Sequence, residues 1–503
     1  MQIPVIDIFA GPGGLGEGFS AFTPNRSSKA AFKIAISAEM EPNAARTLRL
    51  RAFFRQFAPG LAPASYYDYV AGRANEPWTA STESQWNAAC EEAQQLKLGE
   101  PDDDARLRER VRQVARLDQP WVLIGGPPCQ AYSLVGRSRN QGTLGYRAEE
   151  DPRHFLYRHY LTLINEFQPA AFVMENVKGI LSSEVGGQLM FPKIIEDLQS
   201  PGGKKGPKYR IVPLVLPVTS SKADVTDGKN FVLRAEELGV PQARHRVVLL
   251  GVAAGVDLGK AKLLQSGDSR FSVSEVISGL PRLRSGLTDA DIGRWPETAS
   301  ALLDSTASTT DDEDVVKKLE ALARSVRKRD PGVGGRWMPK TTDSDQVPEH
   351  LKSWLLDPKL DGVLNHEVRD HMWDDLRRYA FASAFAKVHA RSPRGAKEFP
   401  KDLHPKHKNW TSGKFVDRFK VQLAHLPSST VTSHLSKDGH YFIHPDPSQL
   451  RSLSVREAAR LQTFPDNYFF EGSRGAQFRQ VGNAVPPWMA RQIAGVVYSI
   501  LGT

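Results

Sequence analysis

The feature that most narrows the fold lies near the start, where the apolar run Val5-Ile6-Asp7-Ile8-Phe9 passes directly into Ala10-Gly11-Pro12-Gly13-Gly14-Leu15-Gly16-Glu17-Gly18-Phe19. A buried strand, a glycine-rich turn and a helix start make the nucleotide-binding half of a doubly wound α/β sheet. Gly11, Gly13 and Gly16 satisfy G-x-G-x-x-G, which suits a nicotinamide dehydrogenase equally well. A second apolar run, Ile34-Ala35-Ile36-Ser37-Ala38, ends at Glu39, where a carboxylate can accept hydrogen bonds from ribose hydroxyls. Taken alone, Glu39 is equally an ordinary surface glutamate.

At 503 residues the chain exceeds one hydrophobic core, so two domains or large insertions are expected. Residues from about 70 to 119 lack strand character and read as a helical insertion. Trp86, Ala89, Cys90, Ala93 and Leu96 recur at helical spacing there, and Leu107, Val111 and Val114 do so again, which makes Cys90 a packing residue. Cys90 and Cys129 are the two cysteines, giving neither a disulfide framework nor a cysteine-based zinc site. No apolar run is long enough to span a bilayer and the N-terminus lacks a secretory leader, so a cytoplasmic location is expected. The net charge of +9 raises nucleic-acid binding only modestly.

Trp121-Val122-Leu123-Ile124 reads as another buried strand, and it runs into Gly125-Gly126-Pro127-Pro128-Cys129-Gln130-Ala131-Tyr132-Ser133. Cys129 would therefore stand on a stiff turn at a strand's C-terminal end, where open α/β sheets carry out their chemistry. The local sequence leaves open that Cys129 is a small buried apolar residue. Further on, Ala171-Phe172-Val173-Met174 is a strand ending in Glu175-Asn176-Val177, which sets a carboxylate beside the cysteine in outline. Gln242-Ala243-Arg244-His245-Arg246 leads into the strand Val247-Val248-Leu249-Leu250, with two arginines at alternate positions pointing to one side.

These pieces together resemble the bacterial DNA (cytosine-5)-methyltransferases. The resemblance continues in Leu453-Ser454-Val455-Arg456-Glu457-Ala458-Ala459-Arg460-Leu461-Gln462-Thr463-Phe464-Pro465 and in Gln480-Val481-Gly482-Asn483-Ala484-Val485-Pro486-Pro487, all in the family's order. It covers roughly residues 1–252 and 425–503. It departs from the family pattern at Glu237, where Asp is usual, and around Asp68 in Tyr66-Tyr67-Asp68-Tyr69.

The resemblance implies a Rossmann-like S-adenosylmethionine-dependent methyltransferase sheet with helices on both faces and a smaller, mixed target-recognition domain. It implies Cys129 as nucleophile toward C6 of a flipped-out cytosine, Glu175 as the acid at N3, and Arg244 and Arg246 as sources of positive charge. S-adenosylmethionine would be held by Asp7, Phe9, Gly11, Gly13, Gly14, Glu39, Asp68, Pro127, Asn483 and Val485. Gln130, Ser133 and Gln242 would face double-stranded DNA. The expected domains are residues 1–252 for catalysis, 253–424 for target recognition and 425–503 returning to complete the cofactor pocket. A monomer is expected, working beside a cognate restriction endonuclease or other defence proteins, with no metal. An RNA methyltransferase of the same fold and a non-catalytic DNA-binding protein are the alternatives.

Within 253–424, Arg391 to Lys420 interleaves basic residues with Trp410, Phe415 and Phe419, which suits a loop following a phosphate backbone. His404 and His407 are spaced as metal ligands can be, but no acidic or cysteine partners accompany them.

Overall fold

The computed structural model describes residues 2–24, 29–115, 119–127, 152–185, 187–215, 227–259, 261–267, 270–288, 294–326, 330–340, 347–406, 410 and 418–502. The chain divides into two compact units. The first comprises Met1–Phe57, Ala80–Ser269 and Ala484–Thr503; the second comprises Ala58–Thr79 and Arg270–Asn483.

The first unit is built on an eight-stranded sheet. Its strands in chain order are β1 (Ile3–Ile8), β2 (Phe32–Glu39), β3 (Ala93–Gln95), β4 (Val122–Gly125), β5 (Ala171–Val177), β6 (Tyr209–Val212), β7 (Val232–Arg234) and β8 (His245–Ala253). They lie in the order β3-β2-β1-β4-β5-β8-β6, with β7 pairing to β8. The first five are parallel, and β8 runs antiparallel to β5, β6 and β7. Strand order reverses between β1 and β4, and such a switch point opens a crevice at the strands' C-terminal ends.

Apolar side chains alternate between the two faces, as period-2 geometry requires. Val5, Val122, Ile124, Val173, Val248 and Leu250 pack with the C-terminal helix Pro487–Leu501. Ile6, Ile8, Leu123, Phe172, Met174, Val247 and Leu249 pack on the opposite face with Leu107, Val111 and Tyr160. Strands covered on both sides must be apolar nearly throughout, which explains why β1, β4 and β5 read so clearly in the sequence. The fold class inferred from the sequence therefore holds.

The 70–119 stretch requires a correction, because it contributes β3. Ala93, Gln94 and Gln95 pair in parallel with Ser37, Ala38 and Glu39. Three residues are too few to show a strand period, and two of them are glutamines. The helices Glu83–Glu92 and Pro101–Ala115 flank this strand, with Ala89, Leu107 and Val111 buried and Cys90 only partly so.

The second unit combines an antiparallel strand pair, Gly334–Pro339 with Gly362–Glu367, and a helical group of Trp295–Ala307, Glu313–Val326 and Trp373–His389. Residues 425–483 pack here, and only Ala484–Thr503 joins the sheet, so the change of unit falls later than the expected boundary at 424/425. The physical reason is the anchoring of helix Val455–Leu461 in this unit. Arg456 is fully buried and donates to the carbonyls of Leu364, Pro465 and Tyr468, while Arg460 forms a paired contact with Asp466. Within Arg391 to Lys420, Trp410 and Phe419 are core residues packed on Phe399, and Arg391 is paired with Glu398 through two 2.8 Å bonds. His404 donates to the Phe399 carbonyl; Phe415 and His407 lie outside the described residues.

Candidate active site

The glycine turn is shaped by backbone that most residues avoid. Phe9 has φ 54°, Gly11 φ 56° and Gly13 φ 92°, all in the left-handed region, and helix α1 (Gly14–Ser20) starts immediately afterwards. A side chain on Gly11 would meet nothing within 4 Å, so the turn borders open space. Glu39 holds two turns together: its Oε2 accepts from the Gly11 N–H and its Oε1 from the Glu41 N–H, each at 2.8 Å. Burial pushes the Glu39 carboxyl above its ordinary range, and those backbone donors oppose the rise.

Asp7 lies beneath the same turn and has no exposed surface. Neither oxygen has an aligned hydrogen-bond donor among the described residues, and a Cβ on Gly16 would stand 2.9 Å from Oδ2. Burial pushes this carboxyl up to about 8, against the attraction of Arg55 and with added repulsion from Glu39. In this conformation the side chain faces the protein interior, so it acts on the turn from below.

At the neighbouring strand ends a second cluster forms around Glu175. A Cβ on Gly126 would stand 2.9 Å from Glu175 Oε2, so the missing side chain makes room for the carboxylate. Arg246 Nε lies 2.8 Å from Glu175 Oε1, an ion pair that is not an aligned hydrogen bond. Arg244 is fully buried; burial and the like charge of Arg246 hold its guanidinium well below the usual range, with Glu175 opposing. Between the two arginines His245 faces the other way and meets Glu236 at 2.7 Å. Gln242 is buried, and its carbonyl accepts from the Arg244 N–H at 2.9 Å.

Asn176 joins the two strand ends. Its Nδ2 donates to the carbonyl of Pro127, itself buried, at 3.4 Å, and its Oδ1 accepts from the Val177 N–H at 2.8 Å. The signal for this role is visible in the sequence, since asparagine is poor in strands and favours side-chain bonds to nearby backbone. Cys129, Gln130 and Ser133, on the stretch after Pro127, lie outside the described residues.

The C-terminal return reaches the glycine turn through Val485, whose carbonyl would be 2.1 Å from a Cβ on Gly14. Gly18 meets Pro487, Ala490 and Arg491 in the same way. Phe9, Glu39, Pro127 and Val485 thus belong to one unit. Two of the expected cofactor residues do not: Asp68 and Asn483 belong to the second unit, where Asp68 pairs with Arg73 at 2.9 Å and Asn483 is exposed.

The family model for C-5 cytosine-specific DNA methylases matches residues 86–499, more than four-fifths of the chain. The chain belongs to the C-5 cytosine-specific DNA methylase family. The methylase is 34% identical to the Type II methyltransferase M.Bpa9945I of Bacillus paralicheniformis over 99% of each chain. It is 29% identical to the Type II methyltransferase M.AgeI of Thalassovita gelatinovora over 75% of this chain and 82% of that one. It is 27% identical to the DNA (cytosine-5-)-methyltransferase M.ApeKI of Aeropyrum pernix, over 76% and 81%. A solved E. coli prophage-encoded protein, described as a candidate DNA modification methyltransferase, shares its fold over the full length of both chains, with TM-score 0.55 and 19% identity. The methylase has no helix among its described residues long and apolar enough to cross a membrane. The pairing of Arg246 with Glu175 is the feature of the methylase that local motif reading misses, because the two residues meet only through the register of β5 with β8.

Proposed function

We propose that this chain methylates C5 of a specific cytosine in double-stranded DNA, as the modification enzyme paired with a restriction endonuclease, with Cys129 as nucleophile and Glu175 as acid. The observation that carries the reading is the Glu175 carboxylate, paired with Arg246 and seated over Gly126, three residues before Cys129. Family membership supports the reaction type.

Cytosine C5 is a weak nucleophile, and adding the Cys129 thiolate to C6 converts it into an enamine carbon. Only the thiolate attacks, and nearby guanidinium charge favours it. Glu175 is the acid of this reading, placed to give a proton to N3 as negative charge develops there. Arg246 and Arg244 then hold the carboxylate that remains. After methylation water takes the C5 proton, the C–H electrons form the C5–C6 double bond as the C6–S bond breaks with its electron pair returning to sulfur, and N3 returns its proton to Glu175, which restores the aromatic ring. The target must leave the stack first, at a cost on the order of a few kcal/mol. Gln130 and Ser133 face the DNA in this reading, whereas Gln242, expected beside them, has no exposed surface and instead supports the Arg244 backbone.

The open glycine turn, the partly exposed Glu39 carboxylate and the tight Val485 contact fit S-adenosylmethionine. Phe9, Gly11, Gly13, Gly14, Glu39, Pro127 and Val485, all in the first unit, would hold it, with Asp7 beneath the turn. When bound, that cofactor supplies an electrophilic methyl group. The first unit is assigned to catalysis and the second to target recognition, in a monomer working at the nucleoid.

The test is covalent trapping on duplex DNA containing 5-fluorocytosine, with S-adenosylmethionine present. The expected outcome is a stable adduct with the parent protein and none with Cys129→Ala; equal yields from the two would remove Cys129 from the mechanism. Bisulfite sequencing of host DNA after expression identifies the methylated site.

A further inference from the structure

Helix Pro101–Ala115 carries Arg106, Arg108, Arg110 and Arg112 at alternate positions, and the structure sorts them into two sets. Arg108 and Arg112, one turn apart, both reach Glu166 at 3.5 Å. Arg106 and Arg110 form the other one-turn pair, and among the described residues the carboxylates that approach them, Asp103 and Glu91, stop at 3.9 Å. That separation is beyond hydrogen-bond reach.

This second pair lines a cavity of about 530 Å³ together with Arg49, Gln94, Gln95 and Glu109. Gln94 and Gln95 belong to β3, the edge strand of the sheet. Arg49 adds an independent observation: its Nε is buried with no acceptor among the described residues, and its Nη2 reaches the Ala93 carbonyl only at 3.5 Å. Glu109 is drawn to Arg112 at 3.3 Å, which offsets its charge. Arg110 Nη1 donates to Gln113 at 3.0 Å and the amides of Gln94 and Gln95 donate to the carbonyls of Glu91 and Met40, so the remaining guanidinium donors of Arg49, Arg106 and Arg110 are what line a concavity large enough for a phosphorylated group. Guanidinium forks match phosphate oxygens in both charge and geometry.

We propose that the cavity beside β3 is a phosphate-binding site, separate from the glycine turn, in which Arg49, Arg106 and Arg110 hold a phosphate ester. The phosphate can come from a free nucleotide-like metabolite or from the backbone of bound DNA, and two arms of one experiment distinguish these sources. In the first, the full chain is titrated calorimetrically with inorganic pyrophosphate. Saturable binding is expected, weakened at least about tenfold in Arg106→Ala/Arg110→Ala. In the second, a dA·dT duplex, which contains no cytosine, is titrated at several salt concentrations. A DNA source lowers duplex affinity in the double variant and reduces the salt slope by about 2. A metabolite source leaves duplex binding unchanged and weakens pyrophosphate alone. Circular dichroism controls for folding, and Arg106→Gln/Arg110→Gln serves if the alanine variant unfolds. Equal binding of both probes by variant and parent, or no saturable pyrophosphate binding with unchanged duplex affinity, overturns the proposal.

Discussion

Glu175 is held by one guanidinium and by one missing side chain. Arg246 lies 2.8 Å from the carboxylate, and the space above Gly126 lets that carboxylate reach the end of the sheet. Replacing its acidic oxygen tests the role directly: Glu175→Gln is expected to keep cofactor affinity, measured by calorimetry, while methyl transfer falls by roughly 10² to 10⁴. Unchanged turnover would remove the acid role. Asp7 makes a different claim. Its carboxyl is raised from 3.8 to about 8, so the folded chain retains a proton that the unfolded chain has released. Between those values unfolding releases a proton, and stability must fall as pH rises. Asp7→Asn removes the titration while preserving shape. Its melting temperature should match the parent's below about pH 4 and exceed it increasingly from there toward about pH 8, and a difference that stays constant across this range would refute the buried-proton account.

The glycine turn and the helix that covers it act as one element pair. Gly14 gives up its side-chain space to the Val485 carbonyl, and Gly18 gives up its own to Ala490 and Arg491. Because the obstruction at Gly14 is backbone, Gly14→Ala should cost about 2 kcal/mol or more, read from the denaturation midpoint, and should weaken cofactor binding as the turn shifts. A neutral substitution would show that the contact is loose. What was legible in the sequence follows from the same physics. The turn after β1, the Gly-Pro turn after β4 and Glu175-Asn176 on β5 were legible because each needs particular residues in consecutive positions. The Glu175–Arg246 pair was not, since it depends on strand register between β5 and β8. Nor was β3, whose Ala93-Gln94-Gln95 carries no apolar alternation. Trp410 and Phe419 stand among basic residues that suggest a surface loop along a phosphate backbone, whereas they pack on Phe399 in the second unit's core.

Across the whole molecule, the chain passes from the first unit to the second at residue 58, returns at 80, leaves again at 270 and comes back at 484. The final passage carries a large share of the first unit's packing: Met489, Ala490, Ile493, Ala494 and Val497 are each fully buried on one face of the sheet. Buried apolar side chains contribute about 1.5–3 kcal/mol each. Three or four such losses approach the roughly 5–15 kcal/mol that holds an ordinary domain folded. Deleting Pro487–Leu501 is therefore expected to abolish cooperative melting of the first unit while helical signal from the second persists; a truncated chain with an unchanged transition would contradict this. The same return sets a clock on biosynthesis. Arg491 donates to the Ala21 carbonyl across 470 residues of sequence. At ribosomal speed that interval lasts roughly half a minute to a minute and a half. Throughout it, the face that α1 shares with the C-terminal helix waits for its cover, so nascent chains would be natural clients for chaperones and methylating capacity would appear only late in synthesis.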